Sequence, residues 1–300
     1  MVAESYHHTF SAAHPVLLKI RSGDVVSTRT VDSAGFDLAG VRRTKTHGNP
    51  LTGPFFVEGA EPGDSISVHL RRVRLNCPSG YTGYQVGVKD LPEPLRAPKP
   101  TADAAIAGYD YLLPWVIDLK RKRVRPKDHP EGGRLDLPAA PMLGCIGVAP
   151  KDGFSPRSGP AGYWGGNLDY NLIREGATVH LPVFHPGALL FLGDGHALQG
   201  DGEAIGSGVE TSLDVEFTVV LRKGVALTTP RVETPEFFVS IGALEQPTLN
   251  RTMEIATADM LRWLTSELGY SARDAHLLLG VKARYDIITL GGSVGLRIPK

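Results

Sequence analysis

Residues 185–203, HPGALLFLGDGHALQGDGE, join an apolar run to a group of ionisable side chains spaced by glycine. The run ALLFLG has the length of a buried strand. The ionisable side chains that follow are Asp194, His196, Asp201 and Glu203. Glycines among them permit backbone angles and close approaches that a Cβ would forbid. The stretch therefore predicts a buried strand that leads into a shaped loop, where rigid scaffolds commonly present functional side chains.

Other segments alternate as strands do. Residues 214–222 place Val215, Phe217 and Val219 on one face, and residues 61–75 put a Pro-Gly-Asp turn before a second alternating run. The chain holds 35 glycines and 23 prolines, which supply turns throughout. These patterns predict a mainly β protein, built as a β-sandwich or from barrel-like sheets.

Three segments between these strands have patterns of their own. Residues 14–33 hold two alternating runs around a Ser-Gly-Asp turn, which predicts a local hairpin. Residues 118–133 contain a basic run, but acidic residues flank it and no aromatic residues interleave, so a solvated hairpin tip is favoured over nucleic-acid binding. Residues 88–102 are rich in proline and charge and predict a surface excursion.

Helical patterns concentrate near the C-terminus. Thr257 is predicted to N-cap a first helix that ends at Gly269, and Ser271 to N-cap a second helix that ends at Gly280. The tail then returns to a strand, a Gly-Gly turn and a strand. These signals add an α+β C-terminal portion to the mainly β fold.

Length and composition bound the class of protein. Residues 1–300 are expected to form a single unit, subdivided at most into a β-rich part to about residue 220 and an α+β part over about 221–300. The 32 basic and 32 acidic residues cancel, so no global field attracts nucleic acid or an anionic membrane. No apolar run is long enough to span a bilayer, and the two cysteines, Cys77 and Cys145, favour a reducing cytoplasm over a disulfide framework. The expected partners are small molecules or further copies of the chain.

Four side chains are of the types that bind Zn²⁺ or a similar divalent ion: Asp32, His47, Asp194 and His196. A catalytic zinc site needs about three such ligands and an open position, but spacing alone does not show that these residues meet. Each histidine also has an ordinary interpretation as an exposed or hydrogen-bonded side chain, and Asp32 could equally form a turn.

Other polar residues are candidates for proton transfer and binding. Glu203 and Glu58 could take a proton from a metal-bound water, although each could instead form an ion pair. Asp201 is interpreted as a brace of its loop. Asn167 could stabilise an oxyanion or adopt a left-handed turn, and Asp169 could orient a ligand or cap a turn.

Several chemistries are disfavoured. Cys145 has apolar neighbours in the sequence, so it is predicted to be a buried apolar residue rather than a nucleophile. The sequence lacks a P-loop and a G-x-G-x-x-G fingerprint. Residues 194–203 also lack the acidic positions and the glycine that an EF-hand loop needs.

Five stretches, taken in order, resemble the acetamidase/formamidase family: HGNPLTGPFFVEGAEPGD, PMLGCIGVAP, GGNLD, LPVFHPGALLFLGDGHALQGDGE and the closing IPK. The resemblance runs over nearly the whole chain. It implies a mostly β fold with an α+β C-terminal part, hydrolysis of a short amide to a carboxylate and ammonia, and a homo-oligomer.

The resemblance also implies roles for particular residues. The family's histidine before PLTGP falls on His47, although Gly48 and Asn49 intervene here, its VEGAEPGD glutamate falls on Glu58, and its early aspartate falls near Asp32. The pattern GD-x-HA-x-x-GDGE maps onto Asp194, His196, Asp201 and Glu203.

The function that we predict is amide hydrolysis by a metal-activated water, with Zn²⁺ expected and Ca²⁺ as the alternative ion. Glu203 or Glu58 would move protons, while Tyr163, Trp164 and Asp169 would contact the substrate. Three alternatives stay open: a metal-free reaction at Glu203, a hydrolase for a larger or cyclic amide, and a non-catalytic β protein that binds small ligands and holds structural Ca²⁺.

Overall fold

The regular structure consists of nineteen strands, two α-helices and one turn of 3₁₀ helix among the described residues. The computed structural model describes residues 3, 5–88, 90–101 and 111–300. The strands up to residue 150 are β1 (Leu18–Ile20), β2 (Val25–Arg29), β3 (Leu51–Val57), β4 (Ser65–Leu75), β5 (Ser79–Thr82), β6 (Leu113–Asp118), β7 (Arg123–Pro126), β8 (Leu137–Pro138) and β9 (Met142–Val148). Next come β10 (Ala161–Gly162), β11 (Gly165–Asn167), β12 (Thr178–Pro182), β13 (Leu190–His196), β14 (Glu210–Thr211), β15 (Leu213–Arg222), β16 (Arg231–Glu233) and β17 (Phe237–Gly242). The C-terminal elements are helices α1 (Leu249–Ser266) and α2 (Ala272–Lys282) and strands β18 (Arg284–Ile287) and β19 (Val294–Pro299).

The strands form two sheets, which confirms the prediction of a mainly β protein. One sheet has the order β10-β11-β9-β13-β14-β5-β6-β7-β8, with β3 also paired to β13 and β1 paired to β3. The other has the order β18-β19-β17-β16-β12-β4-β15-β2. The two sheets share one apolar core, in which the rings of Phe55 on β3 and Phe217 on β15 lie 5.2 Å apart.

The burial of each strand follows its sequence. Every residue of β9 and β13 is buried, as expected for apolar strands in the interior of a sheet. β15 alternates between buried and partly exposed residues along Leu213–Val219. The strand predicted from ALLFLG therefore exists, and it carries Asp194 and His196 within its buried C-terminal end.

One predicted hairpin is confirmed and another is wrong. β6 and β7 pair around a tip near residue 120, as the basic run predicted. Residues 14–33 do not form a local hairpin, because β1 pairs with β3 in the first sheet while β2 pairs with β15 in the second. Within the proline-rich excursion, Glu93–Leu95 form a turn of 3₁₀ helix, and Lys89 and Ala102 lie outside the described residues.

The helices differ from prediction at their ends. α1 starts at Leu249, where the Thr248 hydroxyl accepts a hydrogen bond from the backbone N–H of Arg251, so the N-cap predicted at Thr257 is wrong. Ser271 caps α2 as predicted, but that helix continues past Gly280 to Lys282. No helix among the described residues is long and apolar enough to cross a membrane.

The C-terminal elements are built onto the second sheet. β18 and β19 pair as the strand–turn–strand tail predicted, and β19 continues the sheet through β17. α1 packs its buried residues, among them Met260 and Trp263, against β17 and β19. The second sheet therefore contains strands from both sides of residue 220, the expected boundary between a β-rich part and an α+β part.

Candidate active site

The end of β13 carries two of the three residues that form a buried ligand cluster. Asp194 and His196 are two positions apart on this strand, so they share one of its faces. Asp169 follows β11 and joins them. Ligand atoms of the three side chains all lie within 4.8 Å of one another, and all three residues are buried. We call this group the acidic cluster.

Gly144 on β9 makes room for the cluster. β9 lies between β11 and β13, so it separates the segments that carry Asp169 and Asp194. A Cβ placed on Gly144 would collide with carboxylate oxygens of both aspartates. The glycine in LGC therefore allows the two carboxyl groups to meet above the strand.

Glu210 is a further acid at this site that the sequence pattern did not indicate. It faces His196 across the β13–β14 pair, and its Oε1 lies 3.0 Å from His196 Nε2. Asp194 Oδ1 lies 3.6 Å from the same nitrogen. Carboxylates beside an imidazole fix the orientation of its ring. The signal was weak because Glu210 stands in a two-residue strand with no motif around it.

Several polar atoms of the site are buried and have no hydrogen-bond partner. They are Asp169 Oδ1, Asp194 Oδ1, Glu210 Oε2 and His196 Nδ1. Buried polar atoms are normally satisfied, and an unpaired buried oxygen is costly. These oxygens, together with an imidazole nitrogen, form a donor set that fits a divalent cation.

Burial and mutual repulsion shift the ionisation of the site. Burial and the negative charge of Asp194 raise the pKa of Asp169. Burial raises the pKa of Glu210 to about 8, with a further contribution from Asp194. Burial lowers the pKa of His196, but the carboxylates of Glu210 and Asp194 outweigh it and raise the pKa overall. A bound divalent cation would oppose the shifts of the acids, because it stabilises their charged forms.

Glu203 stands on the loop that follows β13. Its backbone is left-handed, with φ of 44°, in the glycine-rich segment that the sequence singled out. Burial and the charge of Asp169 raise the pKa of its carboxyl to about 9. The loop is held from the C-terminal side, because the Gly202 N–H donates to Ile287 O at 2.8 Å and the Leu290 N–H donates to Gly202 O at 2.7 Å.

An amide network surrounds the cluster. Asn167 Oδ1 accepts hydrogen bonds from Asn49 Nδ2 at 3.0 Å and from Cys145 Sγ at 2.8 Å. Asn167 Nδ2 donates to the carboxylate of Asp169, and Asn49 Nδ2 also reaches Asp194 Oδ2 at 3.3 Å. Burial raises the pKa of the Cys145 thiol, which stays protonated as a donor. Asn49 is a second site residue that the sequence analysis passed over, although it directly precedes PLTGP.

Two cavities meet at Glu203 and Asn167, which line both. The smaller cavity has a volume of about 230 Å³ and reaches Asp194 and Glu210. The larger has a volume of about 480 Å³ and reaches Asp169. The acidic cluster is therefore accessible from the space that these cavities enclose.

Comparison with known proteins shows the family of this chain. Residues 154–289 match the model of the Acetamidase/Formamidase family. A solved structure of a predicted acetamidase/formamidase from Thermoanaerobacter tengcongensis is 32% identical, with 99% of this chain and 94% of that chain covered and a TM-score of 0.81. This chain belongs to the acetamidase/formamidase family.

Two further relatives support the assignment. The structure of an acetamidase from Bacillus halodurans is 28% identical, with 99% of this chain and 96% of that chain covered and a TM-score of 0.82. A Schizosaccharomyces pombe protein named as a candidate formamidase is 29% identical over an alignment of 211 positions that covers 57% of this chain and 50% of that protein. The chain thus matches about half the length of that curated relative.

The acetamidase/formamidase pattern GDGHALQGDGE places three residues at or near the cluster and one outside it. Asp194 and His196 are cluster members, and Glu203 borders both cavities. Asp201 is exposed and accepts a hydrogen bond from Asn171 Nδ2 at 2.7 Å, which ties the loop to the segment after Asp169.

The two remaining metal candidates, His47 and Asp32, are not members of the acidic cluster. His47 is exposed and lines the smaller cavity. Asp32 is buried, and its Oδ1 accepts hydrogen bonds from the backbone N–H groups of Ala34 at 3.0 Å and Phe36 at 2.8 Å. This is the turn-forming arrangement that the sequence left open for Asp32.

The structure does not bring Glu58 to the cluster. Its carboxylate is paired with Arg21 Nε at 3.1 Å on the surface. β3 runs antiparallel to β13, with Leu51 opposite Gly193 and Phe55 opposite Leu190. Glu58 follows the far end of β3, so it lies beyond the opposite end of β13 from His196.

The aromatic pair before GGN packs in the protein interior. Trp164 is buried and contacts Phe154 and Tyr163 edge-on, with ring centroids 5.6 Å and 5.2 Å apart. Tyr163 also packs edge-on against Phe184. The cavity walls near Asn167 come instead from Pro160 and Ala161.

Proposed function

We propose that this chain hydrolyses the carbon–nitrogen bond of short linear amides, releasing a carboxylate and ammonia. Membership of the acetamidase/formamidase family supports amide hydrolysis. The observation that carries the proposal for this chain is the buried cluster of Asp169, Asp194 and His196, which two cavities border.

Asp169, Asp194 and His196 would hold a divalent cation. Asp169 Oδ1 and Asp194 Oδ1 are buried and have no hydrogen-bond partner, which supports this assignment, since such oxygens need a positively charged or donor partner. The ion, when bound, activates water near neutral pH and polarises the amide carbonyl. One imidazole nitrogen with two carboxylates suits Zn²⁺, whereas Ca²⁺ binds through oxygen ligands. The donor set therefore favours zinc, and it weakens the alternative of a non-catalytic protein with structural Ca²⁺.

Glu203 is the residue that we propose for proton transfer. It borders both cavities, and its pKa of about 9 in the metal-free chain keeps a proton on the carboxyl at neutral pH. A bound divalent cation would lower this pKa, and the ionised carboxylate could then take a proton from the attacking water and pass it to the leaving nitrogen. Glu58 lacks such a position because it is paired with Arg21 at the surface.

Asn167 is proposed to bind the developing oxyanion as well as to hold Asp169. An amide nitrogen carries two donors. One N–H of Asn167 is directed at Asp169, which leaves the second for a substrate oxygen. Its carbonyl is fixed by Asn49 and Cys145, so the amide is oriented before substrate binds.

Ammonia release from formamide, acetamide and propionamide tests the proposal, on protein stripped with a chelator and then reloaded with Zn²⁺, Mn²⁺ or Ca²⁺. We expect Zn²⁺ to restore turnover. Glu203→Gln should lower kcat by about 10²–10⁴-fold while the variant still binds metal. Glu58→Gln is the matched comparison, and an equal loss there would move proton transfer to Glu58. Failure of every metal-loaded form to release ammonia would contradict the proposed reaction.

Assembly and location are further proposals. We propose a homo-oligomer, as the family resemblance implies, and light scattering of the purified chain would measure its mass. A cytoplasmic location stays a prediction from the low cysteine content.

A further inference from the structure

The larger cavity beside Glu203 has a mixed lining. Its apolar residues include Pro160, Ala161, Leu244, Pro247 and Leu290, and polar side chains such as Thr289 and Ser293 stand among them. A Cβ placed on Gly202 would lie 3.6 Å from Leu290 Cδ2, so this leucine packs against the loop that carries Glu203. The cavity thus holds Asp169 of the acidic cluster, the exposed Glu245 and several apolar side chains in one lining.

This cavity is larger than a minimal amide needs. A group the size of a water molecule takes about 30 Å³, so the four heavy atoms of acetamide fill roughly 120 Å³. The larger cavity encloses about 480 Å³. Acetamide therefore fills only part of the cavity, and a longer chain could also bury the apolar side chains of its lining, which is favourable.

The charge at the cavity mouth discriminates between substituents. Among the described residues that line this cavity there is no lysine or arginine, while Glu245 contributes a carboxylate at its exposed rim. A substrate that ends in a carboxylate would meet repulsion there, and one that ends in an ammonium group would meet attraction.

We propose that the larger cavity binds the acyl chain of medium-length primary amides, of about six carbons, whose far end is neutral or positively charged. The inference rests on the proposed hydrolysis at the same site. It adds Leu290 as a residue that determines chain length and Glu245 as a residue that selects terminal charge.

Chain length is tested by comparing hexanamide with acetamide on the metal-loaded enzyme. We expect kcat/KM for hexanamide to exceed that for acetamide by about tenfold or more. Leu290→Trp should lower the ratio of the two kcat/KM values at least tenfold, because the indole occupies the cavity. Leu277→Trp is the control, since Leu277 is an exposed leucine of α2 outside the cavity, and its ratio should match the wild type.

Terminal charge is tested with 6-aminohexanamide and the monoamide of adipic acid. We expect the ammonium substrate to be preferred over the carboxylate substrate by about fivefold at low salt, as for charges that interact at a solvent-exposed rim. The preference should shrink at high salt and in Glu245→Gln. Glu254→Gln, which removes an exposed carboxylate from α1, should keep it.

The outcomes separate this inference from the proposed function. Turnover of acetamide with none of hexanamide would overturn the inference and leave amide hydrolysis intact. If no amide were hydrolysed, calorimetric titration of hexanamide would still decide whether the cavity binds the chain. If hexanamide bound and Leu290→Trp lowered its affinity at least tenfold, the inference would be supported. Absence of binding would contradict it.

Discussion

At the scale of single residues, Glu210 combines a contact to His196 with an unpartnered buried oxygen. Loss of a carboxylate that contacts a metal-binding histidine commonly lowers metal affinity by about 10–100-fold. We therefore expect Glu210→Gln to weaken Zn²⁺ binding by about that factor, measured by competition with a chromophoric chelator. The metal-free variant should melt at a higher temperature than the metal-free wild type at neutral pH, because the buried Glu210 carboxyl has to take up a proton on folding and glutamine does not.

Glu254→Gln serves as control and should change neither quantity, since Glu254 is exposed on α1. Unchanged zinc affinity in Glu210→Gln would show that Glu210 does not contribute to metal binding.

At this scale the sequence identified Asp194, His196 and Glu203 because glycines surround them. It missed Glu210 and Asn49, whose role depends on a cross-strand pair and on a turn that no local spacing reveals.

At the scale of elements, the loop after β13 is held from two sides. The Asp201 carboxylate accepts from Asn171 at 2.7 Å, and backbone hydrogen bonds tie Gly202 to the segment between β18 and β19. We expect Asp201→Ala to lower kcat severalfold with a small change in Tm, because it frees the loop that carries Glu203 without opening the core. Hydrogen exchange should rise at residues 200–206 and stay unchanged elsewhere.

Asp128→Ala, at the exposed tip after β7, is the matched control for that experiment. Unaltered exchange at residues 200–206 would show that the hydrogen bonds of Gly202 with Ile287 and Leu290 alone hold the loop.

The helix and strand boundaries show how far the local sequence pattern predicts secondary structure. Ser271 with Asp274 marks the start of α2, whereas α1 begins at Leu249, eight residues before the predicted N-cap Thr257. The hairpin expected over residues 14–33 failed because alternation does not tell a strand which sheet it joins.

At the scale of the whole molecule, sheet order decides which distant segments meet. β9 stands between β11 and β13, so Asn167 and Asp169 come beside Asp194, and β14 adds Glu210 to the edge of β13. The same order carries Glu58 to the opposite end of β3. The sequence indicates which types of side chain form the site, but the strand pairing determines which of the glutamates lies there.

The acid stability of the molecule depends on an ion pair between segments that are far apart in sequence. Asp64 accepts from Lys223 Nζ at 2.7 Å and from the Gly224 N–H at 2.8 Å, and these bonds lower the pKa of its carboxyl to about 2. An unfolded aspartate has a pKa of about 3.9, so the folded state gains stability above that pH and loses it as pH falls toward 2. We expect Asp64→Asn to lower Tm by roughly 2–4 °C at pH 6 and by progressively less between pH 4 and 2. Thermal melts across this range measure the difference, with Asp128→Asn as an exposed control. A gap between Asp64→Asn and wild type that stayed constant down to pH 2 would show that the pair does not control acid stability.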